Sequence, residues 1–554
     1  MLGTLATLFV VASTTVQDQG SVYADLVDKG YSASSASKHA DAVAAFKRAL
    51  AIHPEDGNVW AAMAQAAVRG NLPDDVIVAA DGVLKYGAFG AKVRAQAYFE
   101  IACAYCAKNE PEKAWQALNS AMDAGFRSLE TVRTDKRLDL IRSHKGFETL
   151  AATKDVKKMS RVDGWKYDLW LLDRELRRIH KSPYLMVSKS DRDKWVGQIR
   201  SKISKLSDDQ IKVELFRYVA SFGDGHTRIQ IPNVRRPRIQ LFWFPDGIRV
   251  TAAAPEHKEL VGSKVLAVES APINELITKV EPLISHENPQ GIKANTPNII
   301  TNPAILNGLG YKASIDEIKV RFERADGTTA VSTLPLSPSF VPQPDWTTIS
   351  ADNQPLCLQN RTKNVWFKHL PDLKAMYIAY NSVQNTPTQT IAAAATEIYK
   401  AIDESKVENI ILDVRWNGGG NTFLSQPLIN GLVERPKISQ SGQNLFVITG
   451  RNTYSAAQNF TTDIGRLCRP IYVGEPTGSS PNFIGESIPY SLPYSGMTGT
   501  ISDLYWQRSW PMDDRIWIAP EIPAPPSYQS FAQGKDPSLE AIKNAINTTS
   551  SNRS

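Results

Sequence analysis

Ser455 and His226 are the two side chains of this chain whose surroundings best suit covalent chemistry. Ser455 follows the apolar run 445–450 and precedes two alanines that can open a helix. His226 stands in the segment 223–227, Gly-Asp-Gly-His-Thr, whose glycines predict a tight turn. A serine hydroxyl activated by a histidine base is a nucleophile for acyl transfer. The two residues therefore predict a reaction of that class.

Acyl transfer also needs N–H groups that stabilise the developing oxyanion. The apolar run 410–414 predicts a buried strand, and it leads into Gly418, Gly419 and Gly420. Apolar runs of this kind are typical of a covered, largely parallel sheet, whose ligands bind beyond the carboxyl ends of the strands. We therefore expect the glycines and Ser455 at the same edge of one sheet.

Four segments resemble, in the family's order, the tail-specific or C-terminal-processing peptidases together with the tricorn core protease. They are residues 223–227, 412–420, 453–457 and 473–478, and the resemblance covers roughly residues 160 to 545. It implies a serine endopeptidase with an α/β core of the ClpP/crotonase type and Ser455 as nucleophile. It also implies oxyanion donors in the backbone at Gly418, Gly419 and Ala456.

The base distinguishes two branches of this family. The processing peptidases use a lysine that follows the serine in a Thr-x-Gly-Lys context. The corresponding segment 477–481 is Thr-Gly-Ser-Ser-Pro, and no lysine lies between Lys437 and Lys535. A locally supplied Ser–Lys dyad is therefore excluded, and the chain resembles the tricorn branch, in which a histidine such as His226 activates the serine.

The resemblance further implies an acid that orients the histidine, shortly before a Pro–acid pair. The segment 513–521 offers Asp514 as the first choice, with Asp513 beside it. Glu486, in the same half of the chain, is a rival candidate.

Each of these residues also has a simpler interpretation. Ser455 could be an ordinary helix N-cap. His226 and Asp224 could be structural turn residues, and the three glycines could form a flexible turn. Two further functions follow from these alternatives: a non-catalytic, peptide-binding scaffold on a degenerate peptidase fold, and an esterase that uses the same serine.

The composition is that of a globular protein with several domains. The chain has 554 residues and a net charge of +6 from 63 basic and 57 acidic side chains, which are spread along it. The absence of a basic stripe argues against nucleic acid as a partner. The family resemblance implies a polypeptide substrate. No metal or organic cofactor is implied. Two of the four cysteines, Cys103 and Cys106, lie one helical turn apart, whereas Cys357 and Cys468 could pair only in an exported protein.

The first 18 residues predict an export signal, since an apolar stretch runs into small and then polar residues. A periplasmic or secreted protein follows, with a cytoplasmic one as the alternative because the stretch has no basic residue before it. No other segment is apolar for long enough to cross a membrane.

Residues 20–155 predict an all-α region of paired amphipathic helices. Helical periodicity recurs over 40–50, 60–68, 76–84, 95–107 and 112–124, with alanines, aromatic residues and proline at regular spacing. The pattern resembles tetratricopeptide repeats. Such a stack would bind a protein partner or serve as a structural cap.

Three further regions complete the predicted architecture, a multi-domain α/β protein. Residues 160–235 form a helical part that carries His226. Residues 240–345 resemble a PDZ-like, β-rich insert that lacks a clear carboxylate-binding loop, so shaping or shielding the catalytic cleft is its expected task. Residues 360–545 form the peptidase core.

Overall fold

The structure, a computed structural model, describes residues 20–87, 90–349 and 354–551. They form two compact units. The first comprises residues 20–159 with Arg174–Ile179, and the second comprises Ser160–Asp173 with the residues described from His180 onward. The predicted export signal lies outside the described residues. In the part of the chain that is described, no helix is both long and apolar enough to span a bilayer.

The first unit is entirely helical, as predicted. Its helices are α1 (20–35), α2 (His39–Ile52), α3 (Gly57–Arg69), α4 (Pro73–Tyr86), α5 (Gly90–Ala107), α6 (Pro111–Asp123), α7 (Leu129–Thr134) and α8 (Phe147–Leu150). Consecutive helices pack against each other through small residues. A Cβ at Gly82 of α4, for example, would overlap the Trp60 ring of α3. Cys103 and Cys106 both lie on α5, and burial raises the pKa of the Cys106 thiol to about 11.

The second unit contains strands as well as helices. Its helices are α9 (Arg161–Ile179, shared with the first unit), α10 (Lys189–Lys202), α11 (Asp208–Ala220), α12 (Ile273–Val280), α13 (Pro289–Ile299), α14 (Pro303–Gly308), α15 (Ile391–Ser405), α16 (Gln426–Val433), α17 (Pro436–Ser439), α18 (Ala456–Leu467), α19 (Tyr528–Ala532) and α20 (Pro537–Ser551). The strands up to residue 350 are β1 (Arg228–Gln230), β2 (Arg236–Pro237), β3 (Ile239–Phe244), β4 (Gly247–Ala253), β5 (Lys264–Val268), β6 (Ala271–Pro272), β7 (Glu317–Glu323), β8 (Thr329–Ser337) and β9 (Thr347–Thr348). The later strands are β10 (Val365–Leu370), β11 (Ala375–Tyr380), β12 (Asn409–Asp413), β13 (Leu445–Thr449), β14 (Ile471–Gly474), β15 (Asn482–Gly485), β16 (Ile488–Ser491), β17 (Thr498–Ile501), β18 (Leu504–Gln507) and β19 (Ile522–Pro523).

A six-stranded sheet with the order β10-β11-β12-β13-β14-β19 forms the centre of this unit. Every pairing after the antiparallel β10–β11 pair is parallel. Both faces are covered, because side chains that alternate along β12 enter different cores. Ile410 and Leu412 pack with α15, α16 and α18, whereas Ile411 packs with α20. The prediction of a covered, largely parallel sheet is confirmed.

A second, antiparallel sheet with the order β2-β8-β7-β5-β4-β3 has its own apolar core, which includes residues of α12, α13 and α14. A small sheet with the order β1-β17-β16 joins distant parts of the chain. In it Arg228 pairs with Thr500, so that the turn carrying His226 is held beside a segment that follows Ser455 in sequence. Cys357 and Cys468 are both free thiols.

Candidate active site

Ser455 lies at a sharp turn between β13 and α18. Its backbone has φ +57° and ψ −124°, a conformation that residues with a side chain rarely adopt. Strain of this kind typically costs about 1–3 kcal/mol and persists where the surrounding structure enforces it, often at active sites. Ser455 precedes α18, yet its side chain makes no capping hydrogen bond. The interpretation of Ser455 as an ordinary N-cap is therefore wrong.

The glycine segment follows β12 and lies against this turn, as expected for the carboxyl ends of adjacent parallel strands. Gly419 has φ +103°, and a Cβ there would lie 2.7 Å from Ser455 Cβ and 2.9 Å from the Ala456 amide nitrogen. The Asn417 carbonyl oxygen accepts a hydrogen bond from the Tyr454 amide at 3.1 Å. Only glycine fits at position 419.

The three predicted oxyanion donors differ in whether their amide already makes a hydrogen bond. The Gly419 amide donates to Asn417 Oδ1 at 3.0 Å, so it is occupied. Among the described residues, the amides of Gly418 and Ala456 have no hydrogen-bond acceptor. Two of the three predicted N–H groups are therefore available to a substrate oxygen.

Gly419→Ala should abolish most activity while the protein stays folded. The added methyl group would meet Ser455 and the Ala456 amide, and the backbone at φ +103° would be strained. We expect a decrease in kcat of roughly 10²–10³-fold, the effect of losing an oxyanion donor. Gly197→Ala, in α10, is the control for an added methyl, since a Cβ at Gly197 would have no neighbour within 4 Å. Similar losses in both variants would contradict this account.

His226 is held by a buried carboxylate in its own turn. Asp224 Oδ1 accepts hydrogen bonds from the His226 amide at 2.8 Å, the Thr227 amide at 2.6 Å and Ser502 Oγ at 2.6 Å. Asp224 Oδ2 lies 2.9 Å from His180 Nε2, and both side chains are buried. Asp224 is therefore not an ordinary surface turn residue, and its partner His180 had no recognisable signal in the sequence.

The charge of Asp224 stabilises this turn. Burial acts to raise the pKa of Asp224, but hydrogen bonds from His180, Ser502 and Thr227 prevail and hold the pKa below its usual value. A carboxylate whose pKa is lower in the folded state stabilises the fold fully above its unfolded pKa, about 3.9. This stabilisation is lost as the pH falls through the folded pKa.

Asp224→Asn should lower the free energy of unfolding at pH 7 by about 2 kcal/mol, because hydrogen bonds to a charged group exceed those to an amide. Its stability should also decrease less steeply in acid than that of the wild type. Denaturant unfolding between pH 3 and 7 measures both effects. Asp326→Asn is the control, since exposed Asp326 accepts from the Thr328 amide at 2.9 Å in a surface turn. Equal effects in the two variants would contradict the stabilising role of the Asp224 charge.

The imidazole of His226 lies between two aromatic rings. Its ring centroid is 4.5 Å from that of Tyr454 and 5.5 Å from that of Phe483. His226 Nδ1 is 2.7 Å from the Tyr454 hydroxyl, and the buried Nε2 atom has no hydrogen-bond partner among the described residues. The structure thus brings His226 against the residue directly before Ser455, without a hydrogen bond between His226 and Ser455 themselves.

The three predicted acids are not brought to His226. Asp514 and Glu486 are exposed, and Asp513 binds Arg515 through contacts of 2.8 and 2.6 Å. Hydrogen bonds from Arg515, opposed by burial, hold the pKa of Asp513 well below its usual range. No ion pair or hydrogen bond links any of the three to His226 within the described residues.

Glu287, which the sequence analysis did not single out, is the carboxylate within ion-pair distance of the His226 imidazole. Its Oε1 atom lies 3.7 Å from His226 Nδ1, and its side chain is 6% exposed. Glu287 lies just before α13, a helix that packs on the antiparallel sheet, and no sequence motif marks it. Ser479, in the segment where processing peptidases carry lysine, accepts a hydrogen bond from the Ser455 amide at 3.4 Å.

No group of three His, Cys, Asp or Glu side chains in the described ranges is placed to hold a metal ion.

Residues 374–486 match Peptidase family S41. This range contains β11 to β14, the glycine segment and Ser455. The chain is a serine-type peptidase, a hydrolase, and the residues around its central sheet are similar to the family S41 domain. No curated protein sequence matches the chain.

Two solved structures resemble most of the chain. The structure of mature CPAF complexed with lactacystin has a TM-score of 0.50 and 12% identity, and covers 70% of this chain and 98% of that chain. The photosystem II D1 C-terminal processing protease has a TM-score of 0.33 and 15% identity, and covers 68% of this chain and 98% of that one. At this identity the likeness to CPAF shows a shared fold and no more.

Proposed function

We propose that the chain is a serine endopeptidase of the tricorn-like branch, in which Ser455 is the nucleophile and His226 the general base. The amides of Gly418 and Ala456 would bind the oxyanion. The observation that carries this proposal is the strained backbone of Ser455 at a strand-to-helix turn, with Gly419 packed directly against it. A turn of this kind exposes a serine hydroxyl beside backbone N–H groups.

In the proposed mechanism, Ser455 Oγ attacks the carbonyl carbon of a peptide bond while His226 Nε2 accepts the hydroxyl proton. The carbonyl oxygen becomes an oxyanion and binds the amides of Gly418 and Ala456. Collapse of this intermediate breaks the C–N bond, and His226 donates its proton to the leaving amine. A water molecule, deprotonated by His226, then hydrolyses the acyl-enzyme.

The proposal requires His226 Nε2 and Ser455 Oγ to approach on substrate binding. Catalytic hydrogen bonds are often long before substrate binds. Two features indicate that only a small movement is needed. The His226 ring already stacks on Tyr454, the neighbour of Ser455, and its Nε2 atom has no hydrogen bond to a described residue that would have to break.

A cavity of about 620 Å³ supports a polypeptide as the substrate. It is lined by Leu241, Phe242 and Thr251 of the antiparallel sheet and by Trp416 and Asn452, which precede the glycine segment and the serine. Its size and its mixture of aromatic and polar groups suit side chains of an extended peptide. We propose that the PDZ-like region, about 240–345, forms one wall of this cleft.

The test compares hydrolysis of extended peptides by the wild type, Ser455→Ala and Ser201→Ala. Ser201 is an exposed serine of α10 and serves as the control for loss of a hydroxyl. We expect Ser455→Ala to lose essentially all turnover and Ser201→Ala to match the wild type. Equal activity in all three proteins would refute the proposed nucleophile.

Two alternatives make different predictions in the same assay. A non-catalytic scaffold on this fold would bind peptides without cleaving them in any variant. An esterase using Ser455 would hydrolyse simple esters but leave extended peptides intact. Because Trp416 and Asn452, which lie close in sequence to the glycines and to Ser455, line a cavity that suits peptide side chains, we favour peptide hydrolysis.

Further proposals concern the remaining parts of the chain. The paired helices α2 to α6 are compatible with tetratricopeptide-like repeats over 20–155, which we propose as a docking surface for a protein partner. The ClpP/crotonase type remains our proposal for the core at 360–545. Export directed by residues 1–18 also stays a prediction, which the N-terminal sequence of the mature protein would test.

A further inference from the structure

Glu287 is a buried carboxylate whose two oxygens face different partners. Oε2 accepts a hydrogen bond from the Ser480 amide at 3.0 Å. Oε1 has no hydrogen-bond partner among the described residues and lies 3.7 Å from His226 Nδ1. A buried, unpaired carboxylate oxygen is costly, and a cationic neighbour relieves that cost. An imidazolium at His226 would be such a neighbour.

The backbone around Glu287 is fixed to the peptidase core by Asn288. The Asn288 amide group donates to the Thr477 carbonyl at 3.1 Å and to the Ile516 carbonyl at 2.7 Å. Asn288 Oδ1 meanwhile accepts from the Gln290 amide at 3.0 Å and so caps α13. These contacts place Glu287 beside His226 although the two residues are far apart in sequence.

The charges around the imidazole favour one tautomer of His226. Burial, reinforced by the charge of Glu287, raises the pKa of Tyr454 well above its usual value, so Tyr454 keeps its proton. Glu287, when ionised, can only accept a hydrogen bond. A proton on Nδ1 is then stabilised by Glu287 and by the Tyr454 oxygen 2.7 Å away, which leaves the Nε2 lone pair free. That tautomer is the one a general base for Ser455 requires.

We propose that Glu287 is the positioning carboxylate of this active site. It selects the Nδ1–H tautomer of His226 and stabilises the imidazolium that forms when Nε2 takes the proton of Ser455. The inference rests on the proposed function, and it replaces Asp514, Asp513 and Glu486 in the orienting role. The other charged groups near the ring are Asp224, which binds the His226 amide, and Arg228, whose guanidinium lies 5.4 Å from the Tyr454 ring centroid.

The test compares Glu287→Gln with the wild type in peptide hydrolysis and in the NMR spectrum of the His226 ring. The amide is isosteric and still accepts from the Ser480 amide, so the loop stays fixed while the charge is lost. We expect kcat to decrease by about 10³–10⁴-fold with little change in KM, as for other losses of the orienting carboxylate. The ¹⁵N chemical shifts of the His226 ring, measured by NMR, should also show less of the Nδ1–H tautomer because the charge that favours it is lost. A residue that only fixes the loop would not alter that tautomer ratio.

Asp514→Asn and Glu486→Gln are the matched controls, and both should retain the activity of the wild type. Glu287→Asp keeps the charge on a shorter side chain and should be more active than Glu287→Gln, which keeps the proposal testable if the Gln variant unfolds. Wild-type kcat and an unchanged tautomer ratio of His226 in Glu287→Gln would overturn the role of Glu287. Failure of the proposed function itself would differ, since Ser455→Ala would then remain active.

Discussion

His226→Ala is expected to lower kcat for an extended peptide by about 10⁶-fold, nearly as much as Ser455→Ala, because nucleophile and base act as one unit. The lysine base of the processing peptidases cannot replace it, since no lysine lies between Lys437 and Lys535. The double variant should be no slower than either single variant. Steady-state hydrolysis with a sensitive fluorogenic peptide measures all three.

His369→Ala is the control for this prediction. His369 is an exposed histidine on β10, the antiparallel edge strand, and its loss should leave kcat unchanged. Additive losses in the double variant would contradict the account, as they would show that His226 and Ser455 contribute independently.

Arg415→Met is expected to lower the free energy of unfolding by about 3–5 kcal/mol, the usual result of removing one partner from a buried ion pair. Arg415 is 3% exposed and donates to Asp536 through two hydrogen bonds of 2.8 Å, and to Asp413 Oδ1 at 3.0 Å. It thereby connects the end of β12 to the start of α20. Without it, two buried carboxylates would lack their counter-charge.

Lys374→Met provides the control for a lost surface ion pair. Lys374 and Glu408 are 2.7 Å apart but largely exposed, so their pair should contribute at most about 1 kcal/mol. Urea unfolding, followed by the fluorescence of the domain's tryptophans, compares the variants. A loss below about 1 kcal/mol in Arg415→Met would show that the buried pair does not stabilise the core. Because Arg415 lies three residues before Gly418, its variant should also be less active.

The sequence predicted the central sheet and the meeting of Ser455 with the glycines because both depend on local patterns. The apolar runs at 410–414 and 445–450 are typical of strands of a covered sheet, and the carboxyl ends of parallel strands lie at one edge. The turn carrying His226 was predictable for a similar reason, since its glycines form a local pattern. The structure adds that Gly225 allows the Tyr454 side chain to pack closely against the turn.

The orienting carboxylate could not be predicted in the same way. Glu287 precedes a helix in a segment without a motif, and only the tertiary hydrogen bonds of Asn288 bring it to the site. The hydrogen bond that occupies the Gly419 amide could not be predicted either, because a glycine pattern does not show that the Asn417 side chain folds back and accepts from it. Both cases involve side-chain hydrogen bonds rather than periodicity.

The central claim is that Ser455 is a nucleophile activated by His226. Its most direct test is to treat the folded protein with a fluorophosphonate and locate the adduct by peptide mapping with mass spectrometry. We predict a single adduct on Ser455 in the wild type and a rate of labelling that falls sharply in His226→Ala but not in His369→Ala. An adduct on a different residue, or none on protein that cleaves peptides, would contradict the account.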